Sequence, residues 1–155
     1  MPNAFKLLKT IHLALLTGMV VFAIVSLILN QQGYTAGLDG SFERTFQVIC
    51  VIVSLSCILI GFNLFKRKIM AARNSTAPGE TKMVMYRTAC IIWWAMIEGP
   101  GILATMGYLL TGNFAFIALA ILHILILGVF MPRKQNIIML LNLNGTEVAK
   151  LEGKQ

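Results

Sequence analysis

The chain has 155 residues, of which 57% are hydrophobic and only 12% are charged. A soluble domain carries about 25% charged residues, so this composition excludes an ordinary soluble domain. Four long apolar runs account for the hydrophobic excess and indicate an all-α, polytopic membrane protein. The net charge of +7 is concentrated beside these runs. We therefore expect the lipid bilayer as a partner and no nucleic acid.

We predict four membrane-spanning helices in one domain that covers residues 1–143. A transmembrane helix needs about 20 mostly apolar residues. Runs of this kind lie at about 10–29, 46–65, 88–111 and 114–131, and they predict a four-transmembrane-helix bundle. The apolar segment 134–143 is too short to span a bilayer, and we expect it to lie along the membrane interface. Residues 144–155 form a polar tail that we expect to be disordered.

The distribution of basic residues predicts the orientation of the spans. Of the 13 Lys and Arg residues, only Arg44 lies between the first and second spans. The other twelve precede the first span, connect the second to the third, or follow the fourth. Because basic residues are enriched on the cytoplasmic side of membrane proteins, we expect both termini in the cytoplasm. The expected location is the plasma (inner) membrane, as a multi-pass protein.

Two short segments are expected to separate the helices. Residues 74–79 read Asn-Ser-Thr-Ala-Pro-Gly, a turn-forming sequence that breaks a helix. Gly112 and Asn113 form a tight exterior turn between the third and fourth spans. This turn makes the two spans an antiparallel hairpin.

Glu98 is the most specific chemical feature of the sequence. It lies about ten residues into the third apolar run, or about 15 Å from its inner end, near the bilayer midplane. An acid at this depth is costly and usually marks a functional site. Two residues later, Pro100 lacks an N–H and so frees the carbonyl of Met96. Trp94 and Thr105 share a helix face with Glu98 and are expected to support the site.

His123 is the expected partner of Glu98. Glu98 lies 14 residues before Gly112 and His123 lies 11 residues after it, so their depths differ by about 4 to 5 Å. One interpretation is a pair that passes a proton or holds a small cation. The other is a structural hydrogen bond that fixes the packing of two helices.

No cofactor, metal site or catalytic residue is predicted. The depths of His12 and His123 differ by about 9 Å, whereas two axial ligands of one haem lie at similar depth, so we expect no haem between them. The three cysteines contain no CxxC pair, which favours neither a disulfide framework nor a zinc site. Without a nucleophile–base pair or a phosphate-binding loop, an enzyme is the least favoured class.

The segment Glu98-Gly99-Pro100-Gly101-Ile102-Leu103-Ala104 resembles the carboxylate helix of proteolipid c subunits of rotary ATPases. In that family a mid-membrane Glu is followed by small residues and an apolar stretch. The resemblance implies that Glu98 matches the ion-carrying carboxylate. It covers about ten residues. Elsewhere the chain departs from the family, because the second span has a single glycine, Gly61, and the family does not require the proline.

The sequence leaves two functional hypotheses open. In the first, a small integral membrane protein handles protons or a small cation through a buried Glu98, assisted by His123. In the second, the chain is a structural or accessory subunit that packs against another copy or another membrane subunit. Ala14 and Gly18 form a small-xxx-small step for that contact, and Glu98 and His123 are then interhelical hydrogen-bonding groups.

Overall fold

The computed structural model describes residues 3–34 and 40–153, and this part of the chain is all-α, as predicted. The predicted exterior loop falls partly on residues 35–39 and the end of the predicted tail on residues 154–155, which lie outside the described residues. The described helices are, in chain order, α1 (Ala4–Gln31), α2 (Gly40–Asn74), α3 (Gly79–Thr111), α4 (Phe114–Val129), α5 (Lys134–Leu141) and α6 (Gly145–Leu151).

Three to four of these elements are suited to crossing a membrane. α1, α2 and α3 are each long and apolar enough. α4 has 16 residues and is about 24 Å long, shorter than a hydrocarbon core of about 30 Å. α4 and α5 meet at a bend of 71°, and they supply a fourth crossing if they form one span. The prediction of four spans with cytoplasmic termini stays a prediction.

The outer faces of α1 and α2 are apolar. In the most apolar 18 residues of each helix, only 22% of α1 and 17% of α2 are buried, against 50% of α3. On α2 the side chains of Val48, Ile52, Leu55 and Leu59 are all exposed. Exposed apolar surfaces of this extent mark a membrane or protein contact. These faces therefore fit lipid or an apolar neighbour, and they agree with a membrane protein.

α3 lies at the centre of the fold and contacts each of the other five described helices. Its exposed apolar residues, among them Ile91, Ile102 and Met106, fall on one narrow face, as their spacing of 11 and 4 residues requires in a helix with 3.6 residues per turn. The remaining faces are buried against neighbours. Every other helix is therefore positioned by its contact with α3.

Two glycines allow close approach of helices to α3. A Cβ atom added to Gly61 of α2 would lie 2.9 Å from the Trp93 ring. A Cβ added to Gly107 of α3 would lie 2.5 Å from the Phe116 ring of α4. Both distances are shorter than a carbon–carbon van der Waals contact. The two aromatic rings therefore occupy the space that a side chain would take.

α1 and α3 run parallel and in register. The His12 and Trp94 rings are in contact, with centroids 4.9 Å apart. Seven residues further along each helix, Met19 lies against Gly101. The same spacing on both helices fixes their common direction, so that α1 and α3 begin at the same end of the fold.

Both helix breaks predicted from the sequence are confirmed. α2 ends at Asn74 and α3 begins at Gly79. At the second break, Gly112 adopts a left-handed conformation with φ 73°, and the side chain of Asn113 accepts a hydrogen bond from the Ala115 N–H at 2.8 Å. Glycine reaches that conformation without steric cost, so α3 and α4 form the expected antiparallel hairpin.

The expectation of a disordered tail is wrong for the described residues. α6 begins with a capping box, in which the Asn144 side chain accepts from the Glu147 N–H and the Glu147 carboxyl accepts from the Asn144 N–H. Such a box satisfies two backbone donors that a helix start otherwise leaves free. Leu151 is buried in the main apolar core. Glu147 packs so closely on Gly79 that an added Cβ would lie 2.8 Å from it.

The segment expected at the membrane interface also packs on the helices. It forms α5, whose Ile137 and Leu141 are buried against α2 and α3. Asn3, before α1, and Glu152, after α6, line one cavity. The two described ends of the chain therefore lie at the same end of the fold.

We expect Gly107→Leu to destabilise the protein because the side chain would displace the Phe116 ring. Overpacking of this kind costs about 1–3 kcal/mol. Gly128→Leu is the matched control, since nothing lies within 4 Å of a Cβ at Gly128. Thermal unfolding of the purified variants in detergent measures the difference. Equal stability of the two variants would contradict the close approach of α3 and α4.

Candidate functional site

Four of the residues singled out in the sequence share one face of α3. Trp94, Glu98, Gly101 and Thr105 follow one another at spacings of four, three and four residues, which places them in one row along the helix. α1 and α4 pack on this face, since Trp94 contacts His12 and Gly101 contacts His123. The row therefore lies where α1, α3 and α4 meet.

Gly101 of α3 is in contact with residues of both α1 and α4. A Cβ added there would lie 3.0 Å from the Cβ of His123 and would overlap the end of Met19. One turn further, the Thr105 hydroxyl donates to the Gly101 carbonyl at 2.9 Å. Thr105 therefore uses its proton within α3 and supports the site through the backbone.

His123 is fully buried and has one hydrogen-bonded ring nitrogen. Its Nδ1 lies 2.9 Å from the Leu119 carbonyl oxygen. Because a carbonyl oxygen only accepts, Nδ1 carries the proton, and in the neutral ring Nε2 is the acceptor. Nε2 is buried and has no hydrogen-bond partner among the described residues. His123 thus has one buried ring nitrogen, Nε2, that can still accept a hydrogen bond.

His12 is also fully buried, and in the described part of the chain neither of its ring nitrogens has a hydrogen-bond partner. Its one marked contact is with the Trp94 ring, at an interplanar angle of 59°. Buried polar groups are nearly always hydrogen-bonded in folded proteins. Two unpartnered nitrogens on one side chain therefore identify His12 as a member of the site, which the sequence alone considered only as a haem ligand.

Glu98 is half-buried, whereas the sequence predicted a buried carboxylate. No hydrogen bond or ion pair joins its carboxyl to another described residue. The expected bond to His123 is therefore absent from the described structure, as is a bond to the carbonyl of Met96. The register of the helices places Leu16 of α1 and Ile126 of α4 at the depth of Glu98, and neither side chain offers a polar group.

Helix α3 continues through Pro100 without interruption. The proline ring is buried and supplies no N–H, so the Met96 carbonyl lacks its usual donor within the helix. This carbonyl lies two residues before Glu98 in the chain. A carbonyl and a carboxyl together are oxygen ligands of the kind that hard cations prefer.

Three titratable side chains are stacked along the face of α3. His12 lies at Trp94, Glu98 lies four residues further on, and His123 lies at Gly101 after another three. At 1.5 Å per residue these steps are about 6 Å and 4.5 Å along the helix axis. We call His12, Glu98 and His123 the polar row. These steps separate the three residues along the axis of α3, with His12 on one side of Glu98 and His123 on the other.

The two histidines contact α3 at positions seven residues apart. This corresponds to a difference in depth of about 10 Å, similar to the difference that argued against a shared haem. Within residues 3–34 and 40–153 no three His, Cys, Asp or Glu side chains come together as metal ligands. The expectation of no haem and no metal stays a prediction.

The sequence did not anticipate the aromatic cluster around Trp93 of α3. Trp93 contacts the rings of Phe62, Phe65 and Phe130, with centroids 5.3–6.2 Å apart. A cavity of about 280 Å³ opens beside it, lined by Tyr86 among others. These rings come from α2, α3 and the end of α4, so spacing within one helix gave no indication of the cluster. It explains the deep position of Trp93 as packing.

No family model, curated protein or solved structure matches the chain. The resemblance to proteolipid c subunits therefore rests on the residues around Glu98 alone. What the site does has to be argued from its own geometry.

Proposed function

We propose that this chain is a multi-pass membrane protein that handles protons or a small cation at Glu98. The observation that carries the proposal is the polar row, in which a carboxyl without a partner lies between two buried histidines with free ring nitrogens. Unpaired polar groups at such depth are expensive and persist mainly where they serve a function. A packing role alone would favour groups that are paired with one another.

The chemistry assigns a part to each member of the row. Glu98 is the exchangeable carboxyl, and its half-buried position gives it contact with the outside of the monomer. His123 Nε2 accepts a proton from Glu98 through one water molecule, while its Nδ1 stays fixed on Leu119. His12 continues the row toward the inner end of α1. For a small cation, the Glu98 carboxylate and the Met96 carbonyl supply the first ligands.

We expect the protein to cross the plasma membrane four times. Both termini then lie in the cytoplasm. The basic residues support this orientation, since Arg44, near the start of α2, is the single one between the first and second apolar runs. Asn3 and Glu152 lie at the same end of the fold, and this also supports placing both termini on one side of the membrane. α4 completes the fourth span together with the turn that follows it.

We expect Glu98→Gln to abolish pH-driven flux through the protein in proteoliposomes. Glutamine keeps the size and hydrogen-bonding groups of Glu98 but cannot exchange a proton or carry a charge. Proton flux, measured with a pH-sensitive dye inside the liposomes, should fall to the level of empty liposomes. The flux of sodium or potassium, measured in parallel, should fall in the same way.

Glu80→Gln is the matched control, because it makes the same change in the first turn of α3, outside the polar row. It should retain wild-type flux. If Glu98→Gln also retains flux, or if the wild type shows none, the proposed function is wrong.

The orientation is tested by single cysteines in a background without Cys50, Cys57 and Cys90. A membrane-impermeant maleimide added to intact cells should label Tyr34→Cys, which is exposed at the outer end of α1, and not Thr76→Cys in the α2–α3 connection. Permeabilised cells should label both. The reverse pattern in intact cells would overturn the assignment of the termini to the cytoplasm.

A second candidate function is favoured by the outer face of α1. Ala14 and Gly18 are both exposed, and nothing lies within 4 Å of a Cβ built on Gly18. Small residues at this spacing let a second transmembrane helix approach closely. The chain would then be a structural or accessory subunit, with α1 seated on another copy or another membrane protein. Both functions are compatible in one molecule.

We expect Gly18→Leu to remove this contact while leaving the monomer folded, because the added side chain meets open space. Cross-linking in native membranes, followed by thermal unfolding in detergent, separates the two effects. Gly128→Leu, equally open on α4, should leave cross-links unchanged. Unchanged cross-links in Gly18→Leu would exclude α1 as the packing surface.

A further inference from the structure

A second site lies at the inner end of the fold, and none of the three members of the polar row lines it. A cavity of about 470 Å³ opens between the start of α1 and the bend between α4 and α5. Four cationic side chains line it: Lys6, Lys9, Arg133 and Lys134. The first two come from one end of the sequence and the last two from the other. The fold therefore gathers positive charge that the sequence distributes over two distant segments.

Among the described residues, this charge is only partly neutralised. Glu152 is the one acidic residue in the lining, and it pairs with Lys134. Lys6, Lys9 and Arg133 form no ion pair with a described residue. Lys6 and Lys9 are also three residues apart on α1, a spacing at which like charges repel. An anion in the cavity would relieve the repulsion that remains between these described residues.

The backbone adds hydrogen-bond donors to the same place. α5 starts at Lys134, and its N-cap residue Arg133 makes no side-chain capping bond. The first N–H groups of α5 therefore have no side-chain acceptor, and a helix start carries partial positive charge. An arginine guanidinium beside free N–H groups matches the oxygen atoms of a phosphate.

The rest of the lining is apolar, with Phe5 from α1 and Met131 and Pro132 from the bend. A site for a fully water-soluble anion has no need of this surface. A phospholipid does, because its glycerol and acyl chains continue from the phosphate along the apolar flank of a membrane helix. Basic pockets between transmembrane helices on the cytoplasmic side bind lipid head groups in this manner.

We propose that this cavity binds a phosphate group, carried by the head group of an anionic phospholipid or free in solution. Lys6, Lys9 and Arg133 supply the charge, and the start of α5 supplies backbone donors. The lipid is the source that the apolar part of the lining favours. This proposal does not depend on Glu98 or on any transport activity.

The test measures thermal unfolding of the full chain in detergent, with dihexanoyl phosphatidic acid, dihexanoyl phosphatidylcholine or inorganic phosphate added. Binding to the folded state raises the unfolding temperature. We expect phosphatidic acid to raise it and phosphatidylcholine to leave it unchanged. An equal rise with inorganic phosphate would support a phosphate site and identify free phosphate as its ligand.

A pair of double variants locates the site. Lys9→Gln with Arg133→Gln should weaken the apparent affinity about thirtyfold, since each cation near an anionic head group contributes about fivefold. Arg67→Gln with Arg73→Gln removes the same charge from exposed positions on α2 and should keep wild-type affinity. Equal losses in the two pairs, or no response of the wild type to either phosphate compound, would overturn the proposal.

Discussion

The fold depends on how closely other helices approach α3. Between transmembrane helices there is little hydrophobic driving force, because lipid is as apolar as a leucine side chain, so association relies on contact area and shape. The structure obtains this contact by placing Trp93 on Gly61, Phe116 on Gly107, and His123 on Gly101. Each glycine removes one side chain so that a large ring can reach the backbone. α3 is buried on most of its faces as a result, while α1 and α2 keep apolar outer surfaces.

The same close approach explains the state of the polar row. Gly101 draws α1 and α4 onto α3, which leaves His12 and His123 without contact with solvent. Glu98 lies between them but closer to the exposed face, where the neighbouring helices offer only apolar side chains at its depth. The packing of the helices thus leaves His12, Glu98 and His123 without hydrogen bonds or ion pairs to one another.

Much of the secondary structure was accessible from the sequence, because the signals are local. Apolar length predicted the long helices, and residues 74–79 and Gly112 predicted the breaks between them. α6 was not predicted, because the polar composition of residues 144–155 was taken to indicate disorder. The sequence nevertheless contains the Asn144 and Glu147 of its capping box and an apolar residue, Leu151, which the structure buries. Residue counting placed Glu98 and His123 at similar depth. It gave no rotation about the helix axes, and rotation decides whether two side chains meet.

The cavity beside the start of α1 is built from residues 3–9 and residues 131–152, which are separated by most of the chain. During synthesis residues 3–9 are made first, and α2, α3 and α4 are made before residues 131–152 follow. Since segments fold as they become available, the cavity is completed only when the last helix has been released and has docked on the start of α3. Ligand binding there would report that translation has passed that point. A chain that stops early would hold the same α1 lysines without the arginine and the helix start that complete the site.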